Sequence, residues 1–281
     1  MVKMNMRGYT VQHPLLRFLS RTYREYQSAL LWMFCSVIFF YLIFPVLILF
    51  PVSFFASQYT LLPPSGYSLR WYQEFLSNSD WIDSAFTSIK IALLTSVCAC
   101  VIGGLASLAL VRGNWRSKDL LSSLMISPMI VPTILVGVAS FFTLSSLGIK
   151  GDISGYVLIY TMLSLPIVVI VISSRLQSFD VALEEAANNL GANRWGALWH
   201  VTLPIISPAV FVAAVFAFNV AFEEAIIVMF ISKPGVTTLP NQMYNTLIED
   251  ASLVVAAVSS LQIVATVSIF GAAALVGKNR S

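Results

Sequence analysis

Six stretches of this chain are apolar for about 20 residues or more, the length a helix needs to cross roughly 30 Å of hydrocarbon at ~1.5 Å per residue. They lie at 29–55, 87–111, 120–146, 155–174, 207–231 and 253–277. Inside a bilayer no water is available to backbone N–H and C=O groups, so each run must satisfy them within itself, which means a helix. The pattern predicts an all-α integral membrane protein with six transmembrane helices. Of the 281 residues, 58% are hydrophobic and only 10% charged, against about half and a quarter in globular domains. The expected organisation is a segment 1–28, a membrane domain 29–277 containing a long polar loop at 175–206, and a tail 278–281.

The residues before the first run are polar and basic, and the run is too long for a signal-peptide core and lacks a small-residue cleavage site, so it reads as a retained anchor. Orientation follows from lysine and arginine, which stay on the cytoplasmic side of the spans they flank. Lys3, Arg7, Arg17, Arg21, Arg24, Arg112, Arg116, Lys118, Arg175, Arg194, Lys278 and Arg280 fall on one side, twelve of the sixteen basic residues. The other side holds Arg70, Lys90, Lys150 and Lys233 among Glu74, Asp80, Asp83, Asp152, Glu249 and Asp250. Both termini are therefore expected in the cytoplasm of a cell bounded by an inner membrane. The net charge of +3 reflects retained loops, and no basic patch interleaved with exposed aromatics suggests nucleic acid.

Cys35, Cys98 and Cys100 lie in apolar runs, and with only His13 and His200 available, both outside the spans, no metal-ligand set or disulfide framework emerges. The cysteines read as packing residues. Pro45 and Pro51, Pro128 and Pro132, and Pro166 predict kinks in the first, third and fourth spans, and Gly103 and Gly104 predict close helix packing. The longest segment on the less basic side, 56–86, carries Pro63, Pro64 and Gly66 and then Trp71, Tyr72, Phe75 and Trp81. Those rings fit an interfacial aromatic belt or a docking surface for an external protein.

Between the fourth and fifth spans stands EEAANNLGANRWGALWHVTLP, Glu184 to Pro204. Phe179, Ala182, Leu183, Ala186, Ala187 and Leu190 recur at three- and four-residue steps, one face of a helix, with Ser178 or Asp180 placed to cap its start and Gly191 placed to end it. The polar face carries Asp180, Glu184 and Glu185 and lacks the Lys/Arg character that would suit anionic lipid. A docking surface for a protein outside the membrane fits better.

Glu185-Ala186-Ala187, three residues, Gly191, nine residues, then Val201-Thr202-Leu203-Pro204 resembles the cytoplasmic signature of ABC importer permeases. Val201 stands where isoleucine is usual. Ser68-Leu69-Arg70-Trp71-Tyr72 and Thr238-Leu239-Pro240 are similar to the spermidine/putrescine branch of that family. The resemblance implies a type I (MetI-like) permease architecture and a loop that forms a coupling helix in a cleft of an ATPase subunit. It assigns the coupling role to Glu185, Ala186, Ala187 and Gly191, with Leu203 and Pro204 leading into the fifth span. It further implies a second homologous permease subunit, two ATPase subunits that bind ATP and Mg, an external substrate-binding protein, and contact with membrane lipid. The chain has no phosphate-binding loop of its own: Gly271 to Lys278 is out of register and Asn279 replaces the hydroxyl residue, so no catalytic role is expected.

Glu223 and Glu224 fall within the run 207–231, where an ionised carboxylate costs roughly 2.5–3.5 kcal/mol on insertion scales. Asn219 is four residues before Glu223 and shares its face, which ranks Glu223 ahead of Glu224 as a group facing a substrate pathway. A structural, neutralised pair is the competing reading. The functional expectation is a non-catalytic permease for a small cationic solute such as a polyamine, with ferric iron, an opine or a similar solute as alternatives. A proton-coupled secondary transporter using the same carboxylates is the alternative from a different class.

Overall fold

The computed structural model describes residues 14–57, 66–233, 235–250 and 252–278, and the side chains of 27–57, 66–233, 235–250 and 252–274. Lys3, Arg7, His13, Pro63, Pro64, Asn279 and Arg280 lie outside the described residues. The described residues are helical throughout apart from turns and two isolated β-bridges, Phe55 with Tyr67 and Lys233 with Val236. The chain divides into a first unit, Met1–Val52, and a second, Ser53–Ser281. The first holds most of one long helix, α1 (Pro14–Ser53), whose part from Gln27 is apolar enough to cross a membrane. Pro45 and Pro51 sit within α1 without ending it.

In the second unit α2 (Arg70–Ser77) precedes α3 (Ser79–Arg112), followed by α4 (Lys118–Ile126), α5 (Thr133–Ser146) and α6 (Ile153–Gln177). After α7 (Ala182–Asn189) and α8 (Arg194–Ala197) comes a π turn (Leu198–Thr202) that runs into α9 (Leu203–Glu223); α10 (Ile226–Ile231), α11 (Leu239–Glu249) and α12 (Val254–Lys278) complete the unit. Helices α3, α6 and α9 form the packed centre. Their contact depends on small residues: a Cβ built on Gly103 would come within 2.6 Å of Val168 Cγ1, so any side chain there would force α3 and α6 apart. Gly104 is less critical, its nearest neighbour being Ile172 Cδ1 at 3.9 Å. The Ser107 hydroxyl donates to the Gly103 carbonyl at 2.7 Å, the Ser164 hydroxyl to that of Tyr160 at 2.7 Å, and Cys100 Sγ to that of Val210 at 3.8 Å. Small and weakly polar groups at such interfaces let backbones approach where lipid offers no hydrophobic drive.

Helices α4 and α5 are bent by 99° about the residues between Met129 and Thr133. Pro128 lies in a single 3-10 turn, Ser127–Met129, and Pro132 precedes α5 with φ −55° and ψ 128°. Pro132 has no N–H to donate and disfavours helical geometry at the residue before it, so the two prolines stop one helix and start the next. The expected kink is here a full break. At Pro166 α6 continues through without one.

The bent pair is nevertheless a span. Arg112 at the end of α3 pairs with Glu184 beyond α6, while Asp152 before α6 pairs with Lys233 beyond α10. Those two ends are separated by the 25 residues of α6, about 37 Å. The α4–α5 pair starts a short loop after Arg112 and finishes a short loop before Asp152, so it must connect them. Arg112, Arg175 and Arg194 thus mark one end of the unit and Asp152 and Lys233 the other.

Two expectations are corrected. The run at 207–231 is not one helix: the crossing segment is Arg194–Glu223, and the chain leaves helical geometry at Glu224, where ψ is 110°. Nor do Trp71 and Trp81 form a belt or a docking surface, being only 2% and 3% exposed. Trp71 Nε1 donates to the Phe55 carbonyl at 2.7 Å, and Trp81 meets Phe75 edge-on at 6.1 Å, so these rings pin α2 to its surroundings. Thr238-Leu239-Pro240 has a similar structural use: the buried Leu239 N–H, at the start of α11, donates to Ser88 Oγ on α3 at 2.7 Å.

Candidate functional site: the loop helix and the carboxylates after α9

Helix α7 is amphipathic in sequence, but most of its apolar side chains are left uncovered. Leu183 and Leu190 are 46% and 90% exposed, Ala182 and Ala186 are exposed, and Ala187 is half-buried. Phe179, expected on the same face, instead precedes the helix and is buried beside Leu176 and Ile206. The start is also refined. Ser178 Oγ donates to the Arg175 carbonyl and so belongs to the end of α6, whereas Asp180 Oδ1 accepts the Ala182 N–H at 3.0 Å and steers the chain into α7.

The helix ends as its glycine requires. Gly191 has φ +93°; its N–H donates to the Asn188 carbonyl and the Ala192 N–H to that of Ala187, both at 3.0 Å. This is the paired closure of a Schellman motif, in which a left-handed residue lets the last carbonyls find partners. No heavy atom lies within 4 Å of a Cβ built on Gly191, so only the backbone conformation demands glycine. Asn193 Oδ1 then accepts the Gly196 N–H at 2.7 Å and caps α8.

Glu185 is exposed, as are Trp195 and Trp199 further on. Leu203 is half-buried and Pro204 stands in the first turn of α9, directly after the π turn. Sequence reasoning missed Glu184 as a site residue. Its Oε2 is 2.5 Å from Arg112 Nη1, and its Oε1 accepts the hydroxyl of the fully buried Thr202. The Arg112 guanidinium also lies over the Phe179 ring, 5.6 Å from its centroid. Partners 18 and 72 residues away in the chain distinguish Glu184 from Glu185.

Glu223 and Glu224 part company where α9 stops. Glu224 Oε1 accepts the N–H groups of Ile226 and Ile227 at 2.9 and 3.0 Å, capping α10. Glu223 is exposed; Asn219 Nδ2 donates to its Oε2 at 3.0 Å and Thr266 Oγ1, from α12, to its Oε1 at 3.3 Å. A carboxylate has about four lone-pair sites, so Glu223 keeps capacity for another donor. The expected Asn219–Glu223 pairing on one helix face is present. Near the start of α3 a polar cavity of about 380 Å³ is lined by Asp80, Asp83, Thr87, Thr237 and Gln242 among others. Among the described residues no group of three or more His, Cys, Asp or Glu side chains is placed to hold a metal ion.

An exposed, glycine-terminated helix held against a three-helix membrane core is the arrangement that the EAA-type motif announces. The family model described as binding-protein-dependent transport system inner membrane component matches residues 99–280, from mid-α3 through the loop to the end of α12. The chain belongs to this family. It is the permease subunit of an ABC importer, a non-catalytic membrane component. Among curated relatives, the spermidine/putrescine transport system permease protein PotC of Escherichia coli K12 is 27% identical over 248 residues, covering 88% of this chain and 94% of that one. The putrescine transport system permease protein PotI of the same strain is 30% identical over 216 residues, covering 74% and 76%. A bacterial alginate ABC transporter, solved in complex with an alginate pentasaccharide-bound periplasmic protein, shares the fold of this permease with a TM-score of 0.65 at 16% identity, covering 93% of this chain and 96% of the other.

Proposed function

We propose that this permease forms part of the pathway for a small cationic solute of the polyamine class, handed over by an external binding protein and driven by two ATPase subunits that carry ATP and Mg. A second, homologous permease subunit completes the pathway. The end bearing Arg112, Arg175 and Arg194 faces the cytoplasm, in keeping with retention of positive charge on that side, and both termini lie there. The binding protein meets the opposite end, around Asp80, Asp83 and the Asp152–Lys233 pair.

The observation that carries the reading is the exposure of α7. A short helix at the positively charged end that leaves Ala182, Leu183 and Ala186 uncovered, with Leu190 exposed just past its last residue, has the form of an element awaiting a groove in a partner protein. Glu185, Ala186, Ala187 and Gly191 make that contact, the alanines because small side chains allow close approach. The choice of a cationic solute rests on PotC and PotI, and on Glu223 being exposed with lone pairs to spare.

Uptake of radiolabelled spermidine and putrescine into proteoliposomes containing this permease, its co-purified partner permease and ATPase, and the cognate binding protein tests the proposal. Uptake is expected to require ATP inside the cytoplasmic-equivalent compartment and to persist when an ionophore collapses the proton gradient. Uptake that survives without ATP and collapses with the ionophore would overturn the reading in favour of a carrier using Glu223 or Glu224. Uptake limited to uncharged or anionic solutes would overturn the substrate class alone.

A further inference from the structure

Helix α7 is attached to the membrane core by more than its two connecting segments, and the additional attachment converges on one side chain. Its packing neighbours are α8 and the π turn. Glu184 reaches past them: one carboxylate oxygen meets Arg112, the last residue of α3, and the other takes the hydroxyl of Thr202, the last residue of the π turn before α9. Its side chain is only 14% exposed and that of Arg112 32%, so the pair is screened less than a pair on an open surface. Arg112 in turn covers Phe179, which is buried beside the end of α6. Glu184 thus sits at the junction of the three helices that form the packed centre.

We infer that Glu184 is a positioning residue for coupling: with Arg112 and Thr202 it forms a clasp that transmits displacement of α7 to α3, α6 and α9 together. A π turn is a widened and strained helical turn, frequent where helices do functional work. Here it lies between α7 and α9, where a push transmitted through the backbone alone would be absorbed by distortion. Glu184 bypasses the turn by bonding its last residue directly, and the ionic arm to Arg112 gives α3 a share of the movement that the covalent chain does not provide. Glu185, one position on and exposed, remains free for the partner. The inference rests on the proposed docking of an ATPase subunit at α7.

The test uses the assembled transporter in proteoliposomes and reads two quantities: co-purification of the ATPase subunits with the permease, and solute taken up per ATP hydrolysed. Glu184→Arg and Arg112→Glu are each expected to keep the ATPase subunits bound and to lower uptake per ATP about tenfold. The combined exchange, Glu184→Arg with Arg112→Glu, is expected to recover to within about threefold of the starting protein, as coupled pairs do in double-mutant cycles. Arg112→Lys, which keeps the charge, should stay within about twofold while Arg112→Gln falls with the charge reversals. Those two milder variants decide the matter if a reversal prevents assembly. Normal coupling in Arg112→Gln, equal loss in Arg112→Lys and Arg112→Gln, or an exchange no better than its singles would overturn the clasp. Glu185→Lys separates this from the docking reading: if it leaves ATPase association and coupling intact, the docking reading fails. If it abolishes them while Arg112→Gln couples normally, the clasp alone fails.

Discussion

Glu184–Glu185 and Glu223–Glu224 are the two places where this sequence sets glutamates side by side, and the fold divides the two pairs in opposite order. In the loop the first glutamate turns inward to Arg112 and Thr202 and the second is exposed. After α9 the first is exposed beside Asn219 and Thr266, and the second turns back to cap α10. The difference comes from what each neighbour lacks. Glu184 answers a cation at the end of another helix, whereas Glu224 answers two N–H groups freed by a break in its own chain. In each pair, one carboxylate maintains the structure and leaves the other available for a ligand or partner.

The sharpest way to break this comparison is to remove the inward member after α9. Glu224→Leu leaves the N–H groups of Ile226 and Ile227 without their acceptor. Orphaned donors cost about 1–3 kcal/mol each, so the variant should lose roughly 2 kcal/mol of stability once partial access to water is allowed for. Glu224→Gln, which keeps an acceptor oxygen, should lose less than about 0.5 kcal/mol. Thermal unfolding of the purified permease in detergent reads both. Equal, small losses would mean that the cap is incidental and that Glu224 is as free as Glu223.

The exposed member of the loop pair should behave in the opposite way. Glu185→Lys is expected to leave thermal unfolding of the permease unchanged and to lower ATP-driven uptake about tenfold, equivalent to ~1.4 kcal/mol. A fall in stability resembling that of Glu224→Leu would show that Glu185 also supports the fold, and the division of labour in the loop would be lost.

These divisions were not legible in the sequence, although much of the layout around them was. Among the described residues, hydropathy marked each crossing segment, because lipid imposes one length and one composition on each, but it misplaced the ends of the fifth, 207–231 against Arg194–Glu223. The break at Pro128 and Pro132 was visible as a disturbance, since proline acts through its own ring and missing N–H wherever it lies. The break at Glu224 carries neither proline nor glycine, so the apolar run continues through it to Ile231. Gly191 is legible because a helix-ending glycine is a local requirement, met here at φ +93°. Glu184, by contrast, depends on Arg112, and Trp71 on the Phe55 carbonyl, 16 residues earlier. Periodicity contains no record of such partners.

Glu223→Gln probes the exposed member after α9. It keeps the size of the side chain and its hydrogen bond from Asn219 while removing the charge, so assembly should be unaffected. Uptake of a cationic solute is expected to fall about fivefold in kcat/KM, roughly 1 kcal/mol. A neutral solute, if one is carried, should be unaffected. Unchanged kinetics for the cation would remove Glu223 from the pathway and leave its exposure without a functional reading.

The smallest effect concerns Thr266 and tests the sign of the argument about spare lone pairs. Its hydroxyl donates to Glu223 Oε1 at 3.3 Å, long for an O–H···O bond, which usually measures about 2.7–2.8 Å. Thr266→Val keeps the branched shape and removes the donor. Because Glu223 is exposed, water can take the vacated position, and stability should change by less than about 0.5 kcal/mol. If Glu223 binds the solute directly, the lost donor was a competitor for the carboxylate, so KM for the cation should fall, by no more than about twofold. If Thr266 instead holds the carboxylate in its working orientation, KM should rise, in the same direction as for Glu223→Gln. A rise would mean that Glu223 acts only when fixed from α12, making α12 part of the site.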